Sequence, residues 1–342
     1  MKAIRFHQHG GTDVLRYEDA PEPIIDRDEA LIEVRATSVN HIDIFLRRGI
    51  PGIKVAFPHI PGCDASGVVV AVGNEVRDLA VGHRVTVNPG ISCGQCEFCA
   101  AGFGSQCLTY TMIGEHSDGA YAQRVKVPAR NALRIPDSLS FEEAAAAPLV
   151  FLTAWSMMIT KGNIRPGEDV LILGAGAGVG TAAIQIAKMV GCRVLATAGT
   201  DEKLERAKKL GADVVINYRK EEFDKTIRNL TNRRGVDVVV DYIGADTWVR
   251  SLRSTRRGGR ILTCGATTGA TPQTDLRHIF YRQLQIIGST MGSPKEFRDV
   301  MNCIFRGQLR PIIDRVLPLT EAGRAHELIE AREVFGKIVL NT

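Results

Sequence analysis

Cys93, Cys96 and Cys99 follow one another at intervals of three residues, and Cys107 completes a set of four. Thiolates so placed suit tetrahedral zinc, and a site closed by four cysteines holds a fold together and leaves no position for a substrate. A disulfide pair or an iron–sulfur centre are the alternatives. Gly90, Gly94, Gly102 and Gly104 give the backbone room to wrap around an ion. The other four cysteines, Cys63, Cys192, Cys264 and Cys303, are scattered and read as small buried apolar residues.

A second constellation is the run Leu173-Gly174-Ala175-Gly176-Ala177-Gly178-Val179-Gly180. It follows an apolar strand and opens a helix. Glycines there let the backbone turn tightly and approach a pyrophosphate, while the helix N-terminus offers free N–H groups and the positive end of its dipole. Gly176, Ala177, Gly178, Val179 and Gly180 are therefore candidate dinucleotide contacts. The strand that follows ends Thr197-Ala198-Gly199-Thr200, without the acid that holds a bare ribose in NAD sites. Thr200 and Lys203 suit a 2′-phosphate, and Tyr218 is placed to pack on the adenine side. The pattern favours NADP, with NAD as the alternative.

These residues need elements to hold them. Up to about residue 150 the pattern is one of short strands: Ala30–Ala36 nearly alternates, Ser66–Val72 and Arg84–Val87 are apolar runs between glycines, and Tyr121–Val127 alternates again. Ser140-Phe141-Glu142-Glu143 is a capping box that opens an alanine-rich helix. Beyond, six apolar strands alternate with helices: Asp169–Leu173, Arg193–Thr197, Val214–Ile216, Val236–Asp241, Arg260–Cys264 and Gln285–Ser289. Helices are expected over Thr181–Val190 and Lys203–Leu210. This spells an α/β chain with a doubly wound parallel sheet beside a β-rich domain.

The 342 residues exceed one ordinary domain, and 44% apolar with 24% charged residues is the composition of a globular chain. A net charge of +5 fits a small anionic ligand. The run Arg250, Arg253, Arg256, Arg257 and Arg260 carries no interleaved aromatics, so it reads as a solvated helix face entering a turn, and no nucleic-acid partner is expected. The longest uncharged stretch, from Val170 to Ala187, contains the glycine run and splits into strand, turn and helix, so no membrane span is expected. No signal segment opens the chain, which points to the cytoplasm.

In this order, a β-rich domain, a four-cysteine lobe and a dinucleotide domain, the chain resembles the medium-chain dehydrogenase/reductase superfamily. Pro61-Gly62-Cys63-Asp64-Ala65-Ser66-Gly67-Val68-Val69 looks like that family's glycine-rich stretch near the active site, and Lys203 to Gly211-Ala212-Asp213 with Asn217-Tyr218 looks like its cofactor segment. The resemblance implies a GroES-like catalytic domain over 1–152 with the zinc lobe at about 90–110. It implies a Rossmann domain with a six-stranded parallel sheet over 153–291, and a return segment, 292–342, packing on the first domain. One structural zinc per chain, a small-molecule substrate, and a homodimer or homotetramer go with it.

The resemblance has two branches. Zinc alcohol dehydrogenases bind a second, catalytic zinc through a cysteine in Cys-x-x-Asp, a histidine in Gly-His-Glu and a later cysteine. Here those positions read Asn40-His41-Ile42-Asp43, Gly62-Cys63-Asp64 and Pro148-Leu149-Val150-Phe151-Leu152-Thr153-Ala154-Trp155. Only Cys63 and Asp64 remain as a ligand pair, and His41, His59 or His116 would complete it only in an unfamiliar geometry. Asn40-x-x-Asp43-x-x-x-Arg47-x-Gly49 and Phe151–Trp155 are similar to the quinone oxidoreductase branch, which uses NADPH without a catalytic metal on quinones or activated double bonds. In that reading Asn40 and Asp43 are the catalytic candidates: Asn40 as a hydrogen-bond donor to a carbonyl or cofactor, Asp43 as its orienting partner or as the ion-pair partner of Arg47. Thr153 packs against the nicotinamide, and Gly265, Ala266 and Thr267 run along its half of the cofactor. An alcohol dehydrogenase with an atypical metal site, and an NADPH-binding protein with little turnover, are the competing readings.

Overall fold

In a computed structural model that describes residues 1–342, the chain divides into two compact units: Met1–Leu149 with Ser293–Thr342, and Val150–Gly292. The first unit is built on a seven-stranded sheet whose organising member is the strand Glu29–Ser38. Its even positions, Ala30, Ile32, Val34 and Ala36, are all fully or almost fully buried, as strand alternation requires. One edge pairs along its whole length with Asp64–Val72. The other edge is shared: Arg124–Pro128 takes its first half and the C-terminal strand Lys337–Asn341 its last three residues. The chain's last strand therefore lies inside the first unit, beside residues 36–38.

Two helices matter for the site. His41–Arg48 starts directly after the Glu29–Ser38 strand, with Asn40 as its extended N-cap (φ −123°, ψ 158°) and Gly49 (φ 93°) ending it. Phe141–Ala146 opens on a reciprocal cap: Ser140 Oγ accepts the Glu143 N–H at 3.1 Å, and Glu143 Oε2 accepts the Ser140 N–H at 3.4 Å.

The second unit holds a six-stranded parallel sheet. In sequence its strands are Asp169–Ile172, Arg193–Ala198, Val214–Asn217, Val236–Val240, Thr255–Thr263 and Gln285–Gly288; in space they run third, second, first, fourth, fifth, sixth. The order reverses between the first and fourth strands, which is where such sheets open a crevice at their carboxyl ends. The fifth strand starts five residues earlier than its apolar run, because a register shift opposite Val236–Val238 admits the polar stretch Thr255–Gly259. This changes the reading of the arginine run. Arg256 and Arg260 lie in that strand and form ion pairs with Asp237 and Glu168 at 2.5 and 2.6 Å, so they lock the sheet and do not form a solvated turn. No helix is long and apolar enough to cross a membrane.

Candidate functional site

The four cysteines of the lobe converge. Their sulfurs all lie within 4.8 Å of one another, and all eight cysteines of the chain are free of disulfides. Cys93 and Cys99 sulfurs stand 3.9 Å apart, close to the ~3.8 Å edge of a tetrahedron with zinc–sulfur bonds of about 2.3 Å. Backbone N–H groups point at the sulfurs: Cys93 N reaches Cys107 Sγ at 3.2 Å, and Cys96 N reaches Cys93 Sγ at 3.3 Å. Such donors favour thiolates. The Cys93 and then the Thr109 backbone pull Cys107 down to about 6, and the Leu108 and Cys99 backbone lower Cys96. Cys99 rises to about 11 through desolvation and then through its neighbouring thiols. A divalent cation lets all four ionise together, so the donor set fits zinc. Of the lobe's glycines, Gly94 and Gly102 do turn the chain, with φ of 79° and 86°. Gly90 has a different reason: a Cβ there would lie 1.9 Å from the Tyr110 hydroxyl.

In the first unit, the Asn40–Asp64 region is a closed network of buried groups. Asp64 is fully buried, and its carboxylate is saturated. Oδ2 accepts from Ser38 Oγ at 2.6 Å, Asn40 Nδ2 at 2.8 Å and Lys337 Nζ at 3.2 Å; Oδ1 accepts from the Leu149 N–H at 2.9 Å. Lys337, 3% exposed, also donates to the carbonyl of Val39 at 2.8 Å and to Asn40 Oδ1 at 2.5 Å. Both ends of the Asn40 amide are thus spent on holding Lys337 and Asp64. The role expected for Asn40, donating to a carbonyl or cofactor, gives way to this internal one.

Asp43 is fully buried. Its carboxylate accepts the N–H groups of Asn40 (2.8 Å) and Gly62 (3.2 Å) and the Tyr121 hydroxyl (3.3 Å). Burial pushes its pKa up to about 7, against the pull of the Asn40 N–H and the Lys337 charge. The expected ion pair with Arg47 is absent. One helical turn separates the two residues, but Asp43 turns back to cap the helix start, whereas Arg47 reaches Glu330 at 2.5 Å and His326 at 3.3 Å. They communicate only through a chain. Arg47 donates to His326 Nδ1, which leaves the proton on Nε2 facing the Tyr121 oxygen at 3.3 Å, and Tyr121 donates to Asp43. Burial and the Arg47 charge lower His326 to about 3, so it stays neutral.

Cys63 is fully buried beside Asp43, with its sulfur 3.8 Å from Oδ1. Burial and the charges of Asp43 and Asp64 raise its pKa strongly, so it holds its proton. Of the pair Cys63 and Asp64, the acid is already engaged by Lys337, at 3.2 Å. His59 and His116 each make one ring-nitrogen hydrogen bond, to the Gly114 carbonyl at 3.0 Å and from the Met112 N–H at 3.2 Å.

In the second unit, Gly174 turns the chain after the first strand at φ 70°. Ala177 is the extended N-cap of the helix Gly178–Val190, which begins three residues before the expected Thr181. The N–H groups of Gly178, Val179 and Gly180 are that helix's orphan donors. Gly180 sits where a Cβ would meet the Gly174 carbonyl at 2.4 Å and the Tyr242 hydroxyl at 2.6 Å, so only glycine lets the helix close onto the turn. Tyr242 ties that turn down by donating to the Gly174 carbonyl at 2.8 Å. These groups fit a pyrophosphate.

At the tip of the second strand, Thr200 is the N-cap of Asp201–Lys209 and accepts the Lys203 N–H at 3.3 Å. Tyr218 follows the third strand, and its hydroxyl lies 2.6 Å from where a Gly199 Cβ would be. The ring therefore reaches the ribose end of the strand tip. Gly265, Ala266 and Thr267 follow the fifth strand, with Thr267 N 3.4 Å from the Tyr242 carbonyl. Thr153, on the helix Pro148–Trp155, is 6% exposed, and its hydroxyl meets Met291 Sδ at 3.6 Å.

Lys337 is the residue that reading along the chain misses. Its signal was a lone cation opening the apolar strand Lys-Ile-Val-Leu, but it bonds Asn40 across 297 residues.

Residues 26–137 match a family model described as the alcohol dehydrogenase GroES-like domain, and residues 178–306 one described as zinc-binding dehydrogenase. A zinc-type alcohol dehydrogenase-like protein of Schizosaccharomyces pombe is 32% identical over 99% of either chain. A quinone oxidoreductase of Pongo abelii is 30% identical over 99% of this chain and 97% of its own. The crystal structure of an NAD-dependent alcohol dehydrogenase superposes with a TM-score of 0.96 at 46% identity, covering both chains fully. With its GroES-like unit and its Rossmann unit, the chain belongs to the zinc-type medium-chain dehydrogenase/reductase superfamily and is an NAD(P)-dependent oxidoreductase.

Proposed function

We propose that the protein is an NADPH-dependent reductase of quinones or activated carbon–carbon double bonds, with one structural zinc and no catalytic metal. The observation that carries this reading is the saturation of Asp64. Four donors occupy its carboxylate, and the Lys337 ammonium already supplies the positive charge that a metal would bring. Without a Lewis acid, nothing stabilises the alkoxide that develops when an unactivated alcohol is oxidised. A quinone or an enone is already electrophilic, and the protein's main task is to hold it.

The chain's own contributions follow from that. The glycine turn and the helix start at Gly178 would hold a pyrophosphate; Thr200, Lys203 and Tyr218 stand at the ribose end. When bound, NADPH supplies the hydride. The hydride brings both electrons and one hydrogen, and a single proton from water completes the reduction. The buried Asp43, Asp64 and Lys337 set the shape and the charge of their surroundings and transfer nothing themselves.

A second reading, an NAD-dependent alcohol dehydrogenase, draws on the 46% identical crystal structure with that title. Zinc stoichiometry, measured with cofactor oxidation on a panel of quinones, enones and alcohols, separates the two. One zinc per chain with NADPH consumption on quinones or enones is expected. Two tightly bound zincs with NAD-linked alcohol oxidation would replace this proposal with the second reading.

A further inference from the structure

We propose that Arg219 is the residue that selects the 2′-phosphate of NADP over the free 2′-hydroxyl of NAD. The inference rests on the NADPH reading above and assigns it to a side chain.

The argument begins with register. The second and third strands of the Rossmann sheet pair in parallel, with Ala198 opposite Asn217, so Gly199-Thr200 and Tyr218-Arg219 leave the sheet side by side. Tyr218 N still bonds the Ala198 carbonyl at 3.2 Å, and Arg219 N bonds the Asn217 side chain at 3.1 Å. The second bond fixes where the arginine side chain starts. Its Nε then lies 3.2 Å from the position of a Cβ on Gly199, next to the Tyr218 hydroxyl. A Cβ at residue 199 would clash with the Tyr218 hydroxyl at 2.6 Å and crowd Arg219 Nε, so glycine is what lets both side chains lie against the strand tip.

Charge singles out the same place. The acids nearest the strand tip are Asp201 and Glu202, in the first turn of the following helix. Asp201 is engaged: Oδ1 accepts from Asn217 Nδ2 at 2.7 Å and Oδ2 from Lys220 Nζ at 2.5 Å. Those two partners, Lys220 first, hold its carboxyl below the usual range, so it stays ionised and engaged by them. It is therefore not the acid that grips a ribose diol. Arg219, by contrast, is exposed, and its guanidinium enters no ion pair and no side-chain hydrogen bond. A planar fork of donors packed against Gly199 with a tyrosine hydroxyl, where the strand leads into the N-terminal turn of a nine-residue helix, matches a phosphate monoester. A hydroxyl would leave the fork unused.

The test is calorimetric titration of the full chain, in phosphate-free buffer, with adenosine 2′,5′-bisphosphate and with 5′-AMP. The wild type is expected to bind the bisphosphate at least about tenfold more tightly. In R219Q that preference should fall by roughly 10- to 100-fold, the range for losing a charge-assisted phosphate contact. The affinity for 5′-AMP, which reports on the intact adenine site, should stay within about twofold, and R219K should recover part of the loss. A wild type that binds both probes equally, or favours 5′-AMP, overturns the NADPH reading itself. A wild type that favours the bisphosphate while R219Q keeps the preference overturns the Arg219 assignment alone. K203Q abolishing the preference in its place would do the same and hand the role to Lys203.

Discussion

At the scale of single residues, the decisive feature is a buried lysine facing a buried aspartate. Lys337 Nζ and Asp64 Oδ2 are 3.2 Å apart with side chains 4% and 0% exposed. Two such charges are tolerable only because every remaining donor and acceptor is engaged, by Ser38, Asn40, Val39 and Leu149. Removing one partner is costlier than removing both. K337M should lower the unfolding free energy by about 3–5 kcal/mol, since it strands the Asp64 carboxylate and Asn40 Oδ1. The double variant K337M/D64N should recover a large part of that loss. Urea melts of the four proteins of this cycle check it. A loss in the double variant equal to the sum of the two single losses would mean that the pair is not coupled.

Among the elements, the four-cysteine lobe and the glycine turn are held in opposite ways. The turn after the first Rossmann strand needs no ion. Gly174, Gly180 and the Tyr242 hydroxyl hold it through backbone geometry and packing. The lobe contains only the four-residue helix Glu97–Ala100, a 3-10 turn at Gly104–Gln106 and a two-residue strand pair, too little buried structure to hold itself. Metal–thiolate bonds between the four cysteines would supply the order it lacks. Stripping the metal with a chelator should raise hydrogen exchange across residues 93–110 by tenfold or more. Exchange in the strands of Val150–Gly292 should stay as it was. Unchanged protection across 93–110 in metal-free protein would show that the lobe folds without an ion.

For the molecule as a whole, the relevant quantity is how much a cofactor stabilises the native chain. A ligand at one hundred times its dissociation constant adds about 2.7 kcal/mol. In a chain of 342 residues this corresponds to a rise in melting temperature of about 4 °C. NADPH at such a concentration should produce that rise, and NADH at the same concentration a clearly smaller one. Scanning calorimetry reads both directly. Equal shifts would mean that the second unit does not distinguish the two.

Much of this protein was legible along the chain because its information is local. The period-two alternation of Ala30–Ala36 and the apolar runs from Asp169 to Ser289 placed the strands to within a few residues, since burial on one or both faces of a sheet is a property of neighbours in sequence. Cysteine spacing marked out the lobe, and glycine spacing the nucleotide turn, for the same reason. What the chain alone did not disclose is what its charged and polar side chains do. Asp43 had Arg47 one turn away, yet bonds Gly62 and Tyr121; Asn40 looked poised for a ligand, yet holds Lys337 from the far end of the chain. Asp201 and Arg219 differ in function only because strand register sends one to Lys220 and leaves the other over Gly199. Hydrophobic pattern is written residue by residue, so sequence determined the elements. A buried charge is satisfied by whatever the fold brings within 3 Å, and only the tertiary structure decides what that is.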